Sequence, residues 1–313
     1  MTATDVLISE DVWGEPFAAL AEELTVRQDA ALVTDRARLL SEVATARALV
    51  VRNRTQVDAE LLAAAPQLRI VARAGVGLDN IDLPAADERG VVVVAPLGAN
   101  AHSVAEHSIG LALDLARRTS AKDRQVRAGD WDRSPGIELA GRTWGVVGAG
   151  ATGRAVAALA RALGMSAIGY DPFLTSAQNL ELVPLPELIA RSDVLSLHVP
   201  ATADTAGMVD AKFLAALRPG ALLINVGRGE LIVEADLAAA LKNGGLGGAA
   251  LDVRAVEPPQ RGELETLDNV VLTPHIAGIT VESQERIVSA LAEELRAVLN
   301  GRPATRAVGK VTA

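Results

Sequence analysis

The sequence predicts an α/β protein of two doubly wound parallel-sheet domains, the second inserted in the first. Three observations carry this. Short apolar runs alternate with Ala- and Leu-rich helical stretches nearly throughout, the pattern of parallel strands covered by helices on both faces. The strand-like runs fall into two groups, separated by a long helical stretch after Gly98. At 313 residues, the chain is long enough for two cores.

The first group comprises Val6-Leu7-Ile8, Ala48-Leu49-Val50-Val51, Arg69-Ile70-Val71-Ala72 and Val91-Val92-Val93-Val94. Ala95-Pro96-Leu97-Gly98 then punctuates the chain, and a single helix is expected from about Ala101 to Ala128. The second group begins at Thr143–Val147 and continues through Ser166–Tyr170, Val194–Leu197, Ala221–Asn225, Gly248–Asp252 and Val270–Thr273. An amphipathic helix, Val281–Leu299, closes the pattern and is expected to return to the first domain. The expected division is residues 1–98 plus 282–313 for one domain and 99–281 for the other.

Composition narrows the function. Half the residues are hydrophobic but only 2% are aromatic, so the cores must be built from Ala, Val, Leu and Ile, and base-stacking platforms are scarce. A net charge of −9 argues against a nucleic-acid surface. There is no Cys, which removes disulfides, thiolate nucleophiles and Cys-ligated metals. The four histidines lack metal-ligand spacing, so no metal is expected. No basic-then-apolar leader or membrane-length apolar run stands out, and the expectation is a cytoplasmic protein with no membrane partner.

One turn has a specific pattern. The strand Thr143–Val147 runs into Gly148-Ala149-Gly150-Ala151-Thr152-Gly153 and a helix through Leu163, and the next strand ends in Asp171. This is the dinucleotide fingerprint in its required context of strand, tight turn, helix start and an acid about twenty residues on. The glycines let backbone approach a pyrophosphate, and the helix N-terminus supplies free N–H groups. Asp171 would accept from both ribose hydroxyls and repel a 2′-phosphate, which points to NAD.

Downstream, three successive strands end in chemistry. Ala221–Asn225 leads to Gly227-Arg228-Gly229, Gly248–Asp252 to Glu257-Pro258, and Val270–Thr273 to Pro274-His275. Ligands bind outside the carboxyl ends of parallel strands. Arg228 can orient a carboxylate. His275 can pass a proton near neutral pH, with Glu257 holding its ring.

These segments resemble the D-isomer-specific 2-hydroxyacid dehydrogenases, particularly their phosphoglycerate branch. The resemblance also takes in Val71–Asp82, Ser103–His107, Asn225–Gly229, Ala250–Val253, Glu257-Pro258-Pro259 and Thr273-Pro274-His275. It implies that His275 donates a proton to the ketone oxygen, that Glu257 hydrogen-bonds the imidazole, and that Arg228 binds the substrate carboxylate. Asp252 would face the nicotinamide carboxamide, and Ala151 and Thr152 would offer amides to the pyrophosphate. Gly148, Gly150, Gly153, Val199, Val226, Gly227, Ala277 and Gly278 would complete the NAD site. Around the 2-hydroxy or 2-oxo acid, the resemblance sets the amides of Ala74, Gly75 and Val76 together with Arg52, Arg73 and Asn100. Arg133 would reach in from a partner subunit, and the helix from Ala101 with the Trp131 loop would form a homodimer. Thr152 departs from the branched residue frequent in the family.

His102 and His107 read as structural or capping residues, and His198 as a wall of the cleft. Three functions stay open: a dehydrogenase of a phosphorylated or phosphonate acid, one of a small unphosphorylated 2-oxo acid, and a non-catalytic NAD-binding regulator. A formate-type enzyme is disfavoured, because Glu257 stands where such enzymes tend to place Gln.

Overall fold

Along β1 (Thr4–Ile8), Val6 and Ile8 face one apolar layer and Leu7 faces another. The same alternation repeats in β3 (Ala46–Val51), where Ala48 and Val50 oppose Leu49 and Val51. Both faces are buried, so these strands read as continuous apolar runs rather than as alternating ones. The computed structural model describes residues 4–12 and 15–313. The chain divides into two compact units, one running to Asn100 and resuming at Ile279–Ala313, the other spanning Ala101–Gly278.

In the first unit, β2 (Val26–Gln28), β1, β3, β4 (Ile70–Arg73) and β5 (Val92–Val94) form a parallel sheet in the order β2-β1-β3-β4-β5. One face is covered by α1 (Glu15–Leu20) and α11 (Val281–Leu299), the latter through Ile287, Val288, Leu291, Leu295 and Val298. The other face is covered by α2 (Arg36–Val43), α3 (Ala59–Ala64) and α4 (Leu83–Glu88). A capping box between Thr280 and Ser283 starts α11, satisfying N–H groups that have no partner within the helix.

The second unit opens with α5 (Ala101–Arg117) and α6 (Thr119–Arg127). The expected single helix is broken here. Arg118 adopts φ 53°, and Asp114 accepts the Ser120 N–H at 2.7 Å, so a new helix starts at Thr119. The Asp114 carboxylate thus caps the new helix from the end of the old one, with Arg118 at the N-cap position.

A seven-stranded parallel sheet follows, in the order β12-β11-β10-β9-β6-β7-β8. Its strands are β6 (Thr143–Val147), β7 (Ser166–Tyr170), β8 (Glu181–Leu182), β9 (Val194–Leu197), β10 (Ala221–Asn225), β11 (Leu246–Leu251) and β12 (Val270–Leu272). Helices α5 and α7 (Ala151–Ala162) cover one face. The other is covered by α8 (Leu185–Arg191), α9 (Ala211–Ala216) and α10 (Glu234–Lys242). The strand order reverses between β6 and β9, which makes their carboxyl ends the switch point where ligands bind in such sheets. Trp144 is fully buried beneath it, and its indole N–H donates to Ser196 Oγ at 2.8 Å. No described helix is long and apolar enough to cross a membrane.

Candidate active site

At the switch point, Gly148 leaves β6 with φ +97°, a conformation that favours glycine. A β-carbon there would lie 2.9 Å from Val199 Cγ1 and 3.0 Å from the His198 carbonyl, so the turns after β6 and β9 touch. Gly153 is closer still: a β-carbon would sit 2.0 Å from Gly148 O and 2.6 Å from Val146 Cγ1. Gly150, by contrast, is exposed, and nothing lies within 4 Å of where its β-carbon would be. It precedes α7, whose first N–H groups have no acceptor four residues back. Asp171 ties the turn to β7, taking the Ala149 N–H with Oδ2 and the Phe173 N–H with Oδ1, each at 3.0 Å. An open cradle over a helix start, with a carboxylate beside it, fits a dinucleotide: Gly150, Ala151 and Thr152 line the opening.

Four strands from β6, the loop after β12 carries His275 at φ +55°, an uncommon conformation for a residue with a side chain. Its N–H donates to Asp252 O at 2.7 Å and to Thr273 O at 3.0 Å. The ring pairs through Nδ1 with Glu257 Oε2 at 2.7 Å, and His275 is exposed. Glu257 Oε1 accepts the Arg254 N–H at 3.0 Å. Arg254 is nearly buried and donates to Glu234 from Nε at 2.8 Å and from Nη2 at 2.6 Å, and to Glu265 from Nη1. Hydrogen bonds from Arg254 hold the Glu265 carboxyl down at about 2 and the Glu234 carboxyl below its usual range.

Asp252 follows β11 and is 1% exposed. Oδ1 accepts from Thr273 Oγ1 at 2.6 Å and from the Ile276 N–H at 2.9 Å, and Oδ2 accepts the Ala277 N–H at 2.8 Å. Burial opposes its charge, but these bonds and one from His107 outweigh burial and hold its pKa below the ordinary value. Arg228 stands three residues beyond β10. Asn225 Nδ2 donates to Arg228 O at 2.9 Å, and Arg228 Nη1 donates to Gly227 O at 2.8 Å. Arg228, Glu257 and His275 thus all leave the carboxyl edge of the one sheet, after neighbouring strands. Val226 and Ala277 are buried at that edge, and Gly227 and Gly278 are half-buried.

In the first unit, Arg52 follows β3 and Arg73 ends β4. Burial lowers the pKa of Arg52 against the pull of Glu10 and Asp11, and Arg73 is 9% exposed. Two of the amides expected around the ligand also have backbone partners within the chain. Ala74 N–H donates to Val51 O at 2.8 Å, continuing the β3–β4 pairing, and Gly75 N–H donates to Arg73 O at 2.9 Å. Asn100 is half-buried just before α5, and Arg133 is exposed in the irregular segment after α6.

The remaining histidines separate cleanly. His102 is exposed and pairs with Glu106 at 3.1 Å. His198 Nε2 meets Ser196 Oγ at 2.8 Å, and burial pushes the ring down to about 3, so it is neutral at ordinary pH. His107 Nε2 reaches Thr273 Oγ1 at 3.2 Å beside the His275 loop, a contact compatible with its structural reading. Glu10 carries no signal in its local sequence. It is 4% exposed, and Oε1 accepts the N–H groups of Arg52 at 2.8 Å and Thr55 at 2.9 Å.

Comparison with known proteins places this geometry. The sequence model of the D-isomer specific 2-hydroxyacid dehydrogenase NAD binding domain matches residues 109–277. The chain is 44% identical over 302 residues to a D-3-phosphoglycerate dehydrogenase of Mycobacterium leprae, covering 95% of this chain and 57% of that protein. It therefore spans little more than half the length of such relatives. It is 43% identical over 307 residues to an (S)-sulfolactate dehydrogenase of Chromohalobacter salexigens, covering 96% of this chain and 99% of that one. A solved structure from Thermus thermophilus superposes with a TM-score of 0.91 at 34% identity, covering 97% of this chain and 99% of the other. The glycine turn and the Arg–Glu–His strand ends lie in a chain that belongs to the D-isomer specific 2-hydroxyacid dehydrogenase family, with a nicotinamide dinucleotide as its cofactor.

Proposed function

We propose that the protein is an NAD-dependent dehydrogenase interconverting a D-2-hydroxy acid and its 2-oxo acid, with D-3-phosphoglycerate or a similar acid bearing a second anion as substrate. The observation that carries this is the 2.7 Å contact between His275 Nδ1 and Glu257, on the sheet edge that also carries the dinucleotide turn. With Nδ1 donating to the carboxylate, Nε2 is the nitrogen left to exchange a proton with substrate oxygen. In reduction it protonates the ketone oxygen, and in oxidation it removes the hydroxyl proton. Arg228 orients the substrate carboxylate.

The nicotinamide, when bound, supplies or takes the hydride at the substrate's C2. Gly148, Gly150, Ala151, Thr152 and Gly153 would hold the pyrophosphate and Asp171 the ribose. Val199, Val226 and Gly227 would wall the site, with Asp252, Ala277 and Gly278 near the nicotinamide. Arg52, Arg73, Ala74, Gly75, Val76 and Asn100 are the proposed substrate contacts.

A second reading, an unphosphorylated acid whose far end is a sulfonate, is favoured by the full-length similarity to the sulfolactate enzyme. We also place the enzyme in the cytoplasm, drawing on a dissolved nicotinamide pool, and as a homodimer. In support of the dimer, α6 buries no residue, and Val126 and Trp131 are 52% and 77% exposed. Arg133 would then serve the partner's site.

The test is a panel of 2-oxo acids with NADH, phosphorylated, sulfonated and plain, followed by loss of reduced-cofactor absorbance. Tight NADH binding with no turnover on any of them would favour a regulatory protein instead.

A further inference from the structure

We propose that His107, on α5, is a positioning residue for the acid–base step: through Thr273 and Asp252 it holds the loop that carries His275. The inference rests on the dehydrogenase reading for its kinetic consequence, but its geometry stands within the second unit alone.

Hydrogen-bond bookkeeping fixes the direction of the chain. Asp252 is nearly fully buried and accepts two backbone N–H groups, so it is held as the carboxylate and can only accept. The single hydroxyl proton of Thr273 therefore goes to Asp252 Oδ1, 2.6 Å away. Thr273 Oγ1 is left as an acceptor, and at 3.2 Å His107 must present Nε2 with its proton on. The same Nε2 lies 3.6 Å from Asp252 Oδ1, so its N–H dipole also faces the buried charge.

At its other end, Asp252 holds the residues on the far side of His275. Its carboxylate takes the Ile276 and Ala277 N–H groups, while its carbonyl takes the His275 N–H at 2.7 Å. These bonds over-determine a left-handed backbone at His275, at φ +55°, that a histidine adopts only when its surroundings impose it. His107 lies 166 residues from Thr273 in sequence, so α5 braces the loop from a separate element.

The experiment compares His107→Leu, His107→Gln and Thr273→Val with the native enzyme. His107→Leu removes the donor, and kcat should fall roughly 10- to 100-fold, the scale of a misplaced catalytic group, with KM nearly unchanged. His107→Gln keeps an N–H donor and should recover most of that loss. Thr273→Val should match His107→Leu, and the double variant should be little worse than either, because both cut one chain. Native kcat in His107→Leu, or losses that multiply in the double variant, would overturn the proposal and leave the dehydrogenase reading standing.

If the native protein turns over no 2-oxo acid, it is the dehydrogenase reading that fails. The brace is then read by amide hydrogen exchange at Ile276 and Ala277. Faster exchange there in His107→Leu, with the β-sheet amides unchanged, supports the brace; native exchange overturns it.

Discussion

Glu257 grips His275 while being gripped itself: Oε2 meets the imidazole Nδ1 at 2.7 Å, and Oε1 takes the Arg254 N–H at 3.0 Å. With one carboxylate oxygen committed to each partner, the ring can neither swing away nor trade its tautomer without breaking a charge-assisted bond. Arg254 is in turn fastened by two carboxylates from α10 and from the segment before β12. The Glu257–His275 contact is therefore set by the β11–β12 connection, the segment after β12 and α10 together, rather than by one flexible side chain.

Replacing His275 with Ala should lower turnover by about 10²–10⁴-fold, the usual contribution of a positioned proton-transfer group. NADH affinity should stay near native, since the glycine turn is untouched. Glu257→Gln should cost less, because an amide oxygen can still accept from Nδ1. Steady-state kinetics beside a fluorescence titration of NADH separates the two effects, and undiminished turnover in His275→Ala would exclude the assignment.

Arg254→Met should make stability less sensitive to acid. The Glu234 and Glu265 carboxyls are depressed in the folded state, Glu265 to about 2, chiefly by hydrogen bonds from Arg254. A depressed carboxyl contributes stability above its unfolded pKa, about 4.3, and loses it as pH falls through the folded value. The native protein should thus exceed the variant in urea midpoint at neutral pH, with the gap closing toward about pH 2. A gap independent of pH would mean that the ion pairs contribute nothing.

The glycine turn offers a contrast between folding and binding. Gly153→Ala would thrust a β-carbon to within 2.0 Å of Gly148 O and should cost about 1–3 kcal/mol of stability, as overpacking does. Gly150→Ala meets nothing within 4 Å and should leave stability within about 0.5 kcal/mol, the range for surface changes. It should nevertheless weaken NADH binding, because the new methyl group occupies the opening over α7. Native NADH affinity in Gly150→Ala would detach the pyrophosphate from this turn.

Asp171→Ser should weaken NAD binding and improve use of NADP, by removing a carboxylate that would face the 2′-phosphate. The variant also loses bonds to the Ala149 and Phe173 amides, so some general loosening of the turn is expected. The ratio of kcat/KM for NADP to that for NAD is the informative quantity. A native enzyme that preferred NADP would exclude Asp171 from the ribose.

What was legible in the sequence was local or strongly periodic. The glycine turn declares itself because strand, turn and helix are contiguous, and the strand ends at Arg228, Glu257 and His275 follow from apolar runs with clear stops. By contrast, β2 is three residues long, with Arg27 and Gln28 exposed, and carries no apolar pattern to find. The break at Arg118 is hidden because it rests on a left-handed arginine and on Asp114 reaching the Ser120 N–H, neither of which the apolar pattern reports. The amides of Ala74 and Gly75 pair with the carbonyls of Val51 and Arg73, a pairing no local pattern reports. His107 and Glu10 act across folds of the chain, and nothing in their spacing points to Thr273 or to the Arg52 turn.

Arg52 and Arg73 make opposite physical bids for the far end of the proposed substrate. Arg52 is partly desolvated, in the field of Glu10 and Asp11, and its backbone is pinned by Glu10. Arg73 folds back on its own loop: a β-carbon on Gly75 would lie 1.6 Å from its Nη1. If both guanidiniums receive the distal anion, Arg52→Ala and Arg73→Ala should each raise KM for a phosphorylated or sulfonated 2-oxo acid by about 10- to 100-fold, as losing a charged hydrogen bond of about 1.5–3 kcal/mol implies. KM for a small acid without that group should hardly move. Gly75→Ala should mimic Arg73→Ala by evicting the guanidinium while keeping its charge. Comparing phosphate with sulfonate then discriminates the two substrate readings, because only the one the site serves should combine a low KM with full sensitivity to both arginines. Equal losses on all acids would assign these arginines to general architecture and leave Arg228 as the anchor of the substrate's carboxylate.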